Sequence, residues 1–309
     1  MRRSAVPLLV AGGLLFGGAA AGELVSTVRP ISADAPHLTS VGEAELLGIL
    51  HLHAPGERWF GGLSGMVMDG DVVTAVNDSG HWLRFRLETD ADGRPLSASG
   101  LSVAPLGGLD GSKDDGDAEE LVATPEGLVV AFERRHRLLL YPGALSAPPR
   151  RLAGPAGLGR LPANGGIEAA ARLPDGRLLL VAEEGDGDRF PAWIGQPGAW
   201  EGLAVRRSGD FRPTAAAVLP SGDVLLLERS FSLLSGVAAR LSRIAAADLR
   251  AGAAVSGHQL AVMGPPMLVD NYEALAVRVR ADGRLVAYVL SDDNFNPLQA
   301  TLLAAILLP

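Results

Sequence analysis

The sequence predicts an all-β protein built as a β-propeller of about five blades. Five segments repeat one pattern, in which a polar residue precedes a short apolar run, a turn with glycine, a second apolar run and an acidic residue. The opening polar residues stand 55, 49, 46 and 59 residues apart, and they are Ser64, Glu119, Glu168, Thr214 and Glu273. This spacing is close to the roughly 40–50 residues of a four-stranded blade. Helical periodicity is weak, and the 39 glycines and 21 prolines indicate many short elements.

Within each segment the two apolar runs are expected to form a β-hairpin. A dipeptide that ends in glycine separates the runs, and glycine supplies the positive φ that a tight turn needs. The five dipeptides are Asp69-Gly70, Glu126-Gly127, Asp175-Gly176, Ser221-Gly222 and Asp282-Gly283. Further strands are expected at 81–87, 137–141 and 238–244, and a short helix or turn is expected at 245–251.

The two ends of the chain are expected to meet in one blade. The fifth segment supplies strands at 273–279 and 285–290, and the C-terminal run 301–308 supplies a third. A fourth strand is missing there, whereas 44–52 is a spare strand ahead of the first segment. Pairing the terminal strands would close the ring and leave no exposed edge. The 59-residue interval leaves room for a sixth blade, and a β-sandwich, the alternative, would not produce the recurrence.

The start of the chain has the features of a secretory signal peptide. Two arginines precede an apolar run at 6–16, and small residues end at Ala21, where cleavage is expected. We therefore expect 1–21 to be a signal peptide, 22–40 an N-terminal extension and 41–309 the propeller. No apolar run reaches the about 20 residues of a membrane helix. The prediction is a periplasmic or secreted protein without a membrane span, exported by the general or the twin-arginine route.

Composition excludes several classes of function. Cysteine is absent, so the chain has no disulfide, no thiolate metal site and no cysteine nucleophile. The net charge of −8 argues against a nucleic-acid partner. Lys113 is the only lysine, which excludes a Schiff base or a P-loop lysine at any other position.

Several motifs carry a resemblance to a known family. They are Gly61-Gly62-Leu63-Ser64-Gly65, Asn77-Asp78-Ser79-Gly80, Asp117-Ala118-Glu119-Glu120-Leu121, Glu228-Arg229-Ser230-Phe231, Asp270-Asn271-Tyr272-Glu273-Ala274-Leu275 and Leu290-Ser291-Asp292-Asp293-Asn294-Phe295-Asn296-Pro297-Leu298-Gln299. Through them, over about residues 41–308, the chain resembles the exported bacterial proteins called phytase-like, or esterase-like activity of phytase. The family's name implies hydrolysis of an ester or phosphoester. The chain departs from the usual Glu-Gly-Leu of the second segment, because Glu120 stands in place of the glycine.

Acidic residues at the strand ends predict a metal site. The first strand of each blade lines the central channel, so the residues that open these strands should converge at one face. Three of them are Glu119, Glu168 and Glu273, and carboxylate oxygens suit a hard divalent cation, calcium above all. A second set ends the next strands at the same face, and it comprises Asp78, Glu133, Glu183 or Glu184, Glu228, and Asp292 or Asp293. The predicted metal ligands are Glu119, Glu168, Glu273, Asp78 and Asp292.

An alternative to the metal is neutralisation by arginine. Arg212 precedes Thr214 by two residues and should face the same side of its strand, which makes it the main rival. In this alternative the carboxylates are solvated turn residues or arginine partners. The acidic stretch 110–117 lacks EF-hand spacing and is expected to be a solvated loop.

The sequence leaves two functions open. In the first, the chain is a metal-dependent hydrolase of an ester or phosphoester, in which Arg212 and Arg229 bind an anionic substrate. His81 is the best candidate for a base, and Ser64 is a weaker candidate for a nucleophile because its surroundings lack the G-x-S-x-G spacing. In the second, the chain is a non-catalytic propeller that binds a ligand or a protein.

Overall fold

The structure is a computed structural model that describes residues 20–35, 38–232 and 236–309. The first strands are Ala20–Gly22 (β1), Val25–Arg29 (β2) and Glu45–His53 (β3). The predicted signal peptide therefore lies outside the described residues except for its last two positions. The segment expected to be an N-terminal extension contributes β2, which pairs with β3 along its whole length.

The remaining strands follow the five repeated segments. The first segment contains Leu63–Asp69 (β4), Val72–Asn77 (β5), His81–Thr89 (β6) and Pro95–Pro105 (β7). The second contains Ala118–Thr124 (β8), Gly127–Phe132 (β9), Arg137–Tyr141 (β10) and Arg150–Leu152 (β11). The third contains Ile167–Arg172 (β12), Leu178–Ala182 (β13), Arg189–Gln196 (β14) and Ala199–Arg206 (β15). The fourth contains Arg212–Val218 (β16), Val224–Ser232 (β17), Gly236–Ile244 (β18), Ala254–Val255 (β19) and His258–Met263 (β20). The fifth contains Asn271–Val279 (β21), Leu285–Asp292 (β22) and Thr301–Leu307 (β23).

These strands form five sheets, each an antiparallel blade of four main strands, so the predicted propeller is confirmed. Blade one has the order β4-β5-β6-β7-β1, blade two β8-β9-β10-β11, and blade three β12-β13-β14-β15-β19. Blade four has the order β16-β17-β18-β20, and blade five β21-β22-β23-β3-β2. The described residues contain no sixth blade, because the long interval is filled by the fourth blade and by β19, which pairs in parallel with β15.

The ring closes as the sequence predicts. In blade five the C-terminal strand β23 pairs antiparallel with β3, from Thr301 opposite Leu52 to Leu307 opposite Glu45. The two chain ends thus complete one sheet, and neither strand is left as an open edge.

Apolar side chains fill the spaces between blades. Five buried clusters occur, and each joins two neighbouring blades around the ring. The faces of every sheet are covered in this way, which explains why the strands read as near-continuous apolar runs. Among the residues that the structure describes, helical structure is limited to three short pieces, Lys113–Gly116 (α1) and the 3₁₀ turns Leu158–Arg160 and Ala246–Asp248. No helix in the described part of the chain has the length and apolarity to cross a membrane.

Each inner strand begins with a β-bulge. The pairing of first and second strands shifts by one residue in all five blades, and the extra residues are Ser64, Glu119, Glu168, Thr214 and Glu273. A bulge leaves one residue without a partner opposite and changes the direction of its side chain. The five polar residues that reveal the repeat in the sequence are therefore the five bulged residues.

Candidate metal centre

Four of the five bulged residues line one cavity at the centre of the ring. Ser64, Glu119, Glu168 and Glu273 surround a cavity of about 210 Å³. All four residues are buried. Thr214 instead donates a hydrogen bond to the carbonyl of Tyr272, 3.1 Å away, and so links blades four and five.

The second acidic set reaches the same cavity. Asp78, Glu133, Glu183 and Asp292 follow or end the second strands of blades one, two, three and five, and all four line it. Glu228 does not, because its carboxylate is paired with Arg240 at 2.5 Å inside blade four. The five predicted ligands, Glu119, Glu168, Glu273, Asp78 and Asp292, are thus brought together at one mouth.

The cavity wall includes residues that the sequence did not predict to be there. Asp117 was expected in a solvated loop, but its side chain is only 3% exposed. It closes the short helix α1 and accepts contacts from Lys113 Nζ at 2.6 Å and Arg134 Nε at 2.5 Å. Asp117 precedes Glu119 by two residues within a motif of the second segment, and that spacing is the signal that could have revealed it. Asn164 and Asn294 also line the cavity.

Three carboxylates lie close enough to share a cation. One oxygen each of Asp117, Glu119 and Glu133 lies within 4.8 Å of the others. Asp117 lies in the loop directly before the first strand of blade two, Glu119 lies in that strand, and Glu133 directly follows the second strand. The hairpin β8–β9 therefore presents all three.

Of the described residues that line the cavity, three carry positive charge. Lys113 bridges Asp78 and Asp117, and Arg134 also contacts Asp117. Arg229 lies 3.5 Å from Glu183 and 3.3 Å from Glu273. Eight carboxylates thus face three cations.

Arg212 is not the neutralising arginine that the sequence suggested. It pairs with Glu184 of blade three and does not line the cavity, whereas Thr214 of the same strand contacts blade five. The bulge between Pro213 and Ala215 breaks the alternation, so the side chains of Arg212 and Thr214 face opposite neighbours.

The predicted catalytic side chains differ in their positions. Ser64 lines the cavity, but its hydroxyl donates to the carbonyl of Gly62 at 3.2 Å. His81 lies outside the residues that line the cavity, with its ring stacked on Trp59 at 4.2 Å and Nδ1 at 2.9 Å from the carbonyl of Ser79. Burial lowers the pKa of His81.

Sequence comparison decides the family of the chain. The model of the family described as phytase-like, esterase-like activity of phytase, matches residues 58–295. The chain belongs to the phytase-like family. No curated protein sequence matches it.

Solved structures similar to the phytase-like chain are remote in sequence. A gluconolactonase-like protein is 14% identical with a TM-score of 0.45, covering 91% of this chain and 98% of the other. Glutaminyl cyclase from Myxococcus xanthus is 12% identical with a TM-score of 0.41 over 81% and 93% of the two chains. A protein of unknown function from Dyadobacter fermentans is 13% identical with a TM-score of 0.42 over 93% and 92%.

Burial and crowding raise the pKa values of the carboxylates in the phytase-like site. Desolvation, followed by repulsion from Glu168 and other neighbouring carboxylates, raises the pKa of Glu119 well above its usual value. Desolvation and then Glu183 and Glu273 do the same for the pKa of Glu168. Desolvation also raises the pKa of Glu273 to about 7, although Arg229 opposes the shift, and raises that of Asp292 to about 8.

The donor set fits a hard divalent cation. The side chains of Glu119 and Glu168 accept no hydrogen bond and form no ion pair within the described ranges. Their oxygens border the cavity, so they are free to coordinate an ion. Oxygen ligands in this number match calcium, which accepts six to eight, better than zinc, which prefers nitrogen and sulfur.

Proposed function

We propose that the phytase-like chain binds a divalent cation, with calcium the first candidate, and hydrolyses an ester or phosphoester at the central cavity. One observation carries the proposal. Once Lys113 and Arg134 are assigned to Asp78 and Asp117, six further carboxylates face the single guanidinium of Arg229. Such a concentration of buried negative charge requires protons or a cation, and the six are Glu119, Glu133, Glu168, Glu183, Glu273 and Asp292.

The residues of blade two would hold the cation. Asp117, Glu119 and Glu133 supply the closest group of oxygens, and Glu168 lies beside them in the next blade. A bound calcium ion would polarise the substrate and lower the pKa of a bound water. The family's description, esterase-like activity of phytase, agrees with hydrolysis of an ester.

The size of the cavity limits what enters it. At about 210 Å³ it is smaller than the roughly 300–1,000 Å³ of a pocket that encloses a whole ligand. The reacting group would enter, while the rest of the substrate stays outside. Arg229 is the one guanidinium in the wall that is not committed to Asp117, and its Nε is a buried donor without an acceptor among the described residues. It is therefore the side chain placed to hold an anionic oxygen of the substrate.

The direct test is an assay of the purified protein. p-Nitrophenyl esters and phosphates should be hydrolysed in calcium, the activity should disappear in EDTA, and added calcium should restore it. Glu119→Gln should lose at least tenfold in activity, since it removes a ligand. Glu201→Gln, on the exposed surface of blade three, should behave as wild type. Hydrolysis that is unaffected by EDTA would contradict the dependence on a metal ion. Absence of hydrolysis on every ester and phosphate would contradict the catalytic role.

One observation favours the second function, a propeller that binds a ligand without reaction. No hydroxyl in the described part of the cavity is hydrogen-bonded to a base, because Ser64 donates to a backbone carbonyl and His81 lies elsewhere. A cation-dependent binding protein would retain calcium and show no hydrolysis. Stabilisation by calcium without turnover in the assay above would identify it.

We also propose that the chain is exported to the periplasm or secreted. The arginine pair, the apolar run and the alanines that end at Ala21 support cleavage there, which would leave only Gly22 of β1 in the mature protein. N-terminal sequencing of protein from the periplasmic fraction should begin at Gly22, and retention of Met1 would contradict the proposal.

A further inference from the structure

Glu120 lies at the centre of the ring in a position that no other blade fills with a charged residue. It directly follows the bulged Glu119, and the equivalent residues of the other blades are Gly65, Ala169, Ala215 and Ala274. Glu120 is buried, with 2% of its surface exposed. No arginine, lysine or histidine among the described residues contacts its carboxylate.

Backbone amides of three blades surround this carboxylate. Oε1 accepts a hydrogen bond from the N–H of Leu121 at 2.8 Å. Oε2 accepts from the N–H of Ala170 at 3.3 Å and from that of Ala216 at 3.4 Å. These three amides belong to the inner strands of blades two, three and four, and each stands two residues after its blade's bulge.

The symmetry of the ring explains why these amides need a partner. The inner strand of each blade pairs with a second strand on one edge only, so the N–H groups of its other edge face the channel. Buried N–H groups without an acceptor cost stability. The side chain of Glu120 accepts several hydrogen bonds at once, and these bonds oppose the desolvation that raises its pKa well above the usual value.

We propose that Glu120 is a positioning residue, an internal carboxylate ligand that joins the inner strands of blades two, three and four and so holds Glu119 and Glu168 at the cavity. Ala170 and Leu121 each stand two residues beyond these glutamates on the same strands. A link between the two strands at that point fixes the distance between the glutamates. The positioning role rests on the proposed cation site, whereas the link between blades does not.

Chemical rescue tests the link. Glu120→Gly should leave a small space lined by the three amides, and the melting temperature should fall by about 5 °C or more, as the loss of three buried hydrogen bonds in a domain of this size predicts. Sodium formate, a carboxylate of matching size, should restore at least half of the loss. Ala169→Gly places glycine at the same strand position of blade three and is the matched control. Formate should leave the melting temperatures of this variant and of wild type unchanged.

The positioning role is read from calcium affinity, measured by calorimetry well below the melting temperature. Glu120→Gly should bind calcium at least fivefold more weakly, and formate should recover part of the loss. Glu120→Gln keeps one acceptor oxygen, so its calcium affinity should lie between those of wild type and Glu120→Gly. This variant preserves the test if Glu120→Gly does not fold. An affinity equal to that of wild type would overturn the positioning role.

The two proposals fail in different ways. Melting temperatures that formate leaves unchanged in Glu120→Gly would overturn the link between blades, whatever the chain does with calcium. A wild-type protein that binds no calcium would overturn the cation site and the positioning role with it. Formate rescue in that case would still establish the link.

Discussion

Glu168 is the residue at which the two explanations of the acidic cavity differ most. It is buried, and Glu183, Glu273 and Glu133 surround it, with Arg229 the one nearby cation. If the site holds calcium, Glu168 is a ligand. If the carboxylates are neutralised by arginine, the charge of Arg229 stabilises Glu168 from beyond ion-pair distance.

We expect Glu168→Gln to separate these roles in thermal unfolding. Removing one negative charge relieves repulsion, so the melting temperature in EDTA should stay equal or rise. The increase that millimolar calcium produces in wild type should shrink by half or more, because a ligand that binds the native state stabilises it by an amount that grows with the logarithm of the affinity. Glu201→Gln, an exposed change of the same kind, is the control. A lower melting temperature in EDTA with an unchanged response to calcium would favour arginine as the partner.

Asp292 and Glu273 give the metal-free protein an unusual dependence on pH. Their pKa values rise from 3.8 to about 8 and from 4.5 to about 7 on folding. Between pH 4 and 8 the folded state therefore binds more protons than the unfolded state. The stability that these two groups contribute is fully present below pH 4, and it is lost as the pH rises through 7 and 8.

In EDTA the melting temperature should accordingly fall from pH 5 to pH 8, and Asp292→Asn should flatten the slope. In calcium the melting temperature should fall less, because protons compete with the ion for the same oxygens. At high pH fewer protons are bound, so calcium binds more tightly and stabilises the protein more. Differential scanning fluorimetry at four pH values with each additive measures both effects. A metal-free protein that becomes more stable over this range would contradict the assigned protonation.

At the scale of the element, the inner strand of blade one touches blade two too closely for a side chain. A Cβ at Gly65 would lie 2.6 Å from the N of Leu121 and 2.8 Å from the Cα of Glu120. Both neighbours are backbone atoms, which cannot rotate away. Gly65→Ala should therefore lower the free energy of unfolding by about 1–3 kcal/mol, as overpacking of a rigid contact does. Denaturant titration of this variant, beside Gly143→Ala in open space, measures the loss.

The same strands show how far the sequence could predict the site. The recurrence located all five bulged residues, because duplication preserves a polar residue at one register of each blade. It could not locate Asp117 and Lys113, since they belong to a loop without a counterpart in the other blades. It misjudged Arg212, because alternation along a strand holds only until a bulge interrupts it.

At the scale of the whole molecule, the ring depends on its last strand. β23 lies between β22 and β3, so removing residues 298–309 detaches β3 and β2 from blade five. The truncated chain should lose cooperative unfolding in circular dichroism, whereas removal of the exposed Pro309 alone should have little effect. A truncated protein that melts at the wild-type temperature would show that the paired ends are dispensable.

Blade number and closure could be predicted because both follow from counting strands in a repeat. The fifth strands of blades one, three and five could not be counted, since β1 and β2 precede the repeated segments and β19 of the fourth segment joins blade three. β1 and β19 are only two or three residues long, and pairing rather than hydrophobic pattern defines them.

The pairing of β3 with β23 also sets the order of events in time. Leu52 and Thr301 meet only after about 250 intervening residues are in place, and closing a loop of that length costs about 5 kcal/mol of chain entropy. During synthesis the early strand must wait for the late one, and meanwhile each has an unpaired apolar edge that can pair with another molecule. The interval before closure is therefore when this chain is most exposed to aggregation, and a chaperone that holds either end would act at that stage.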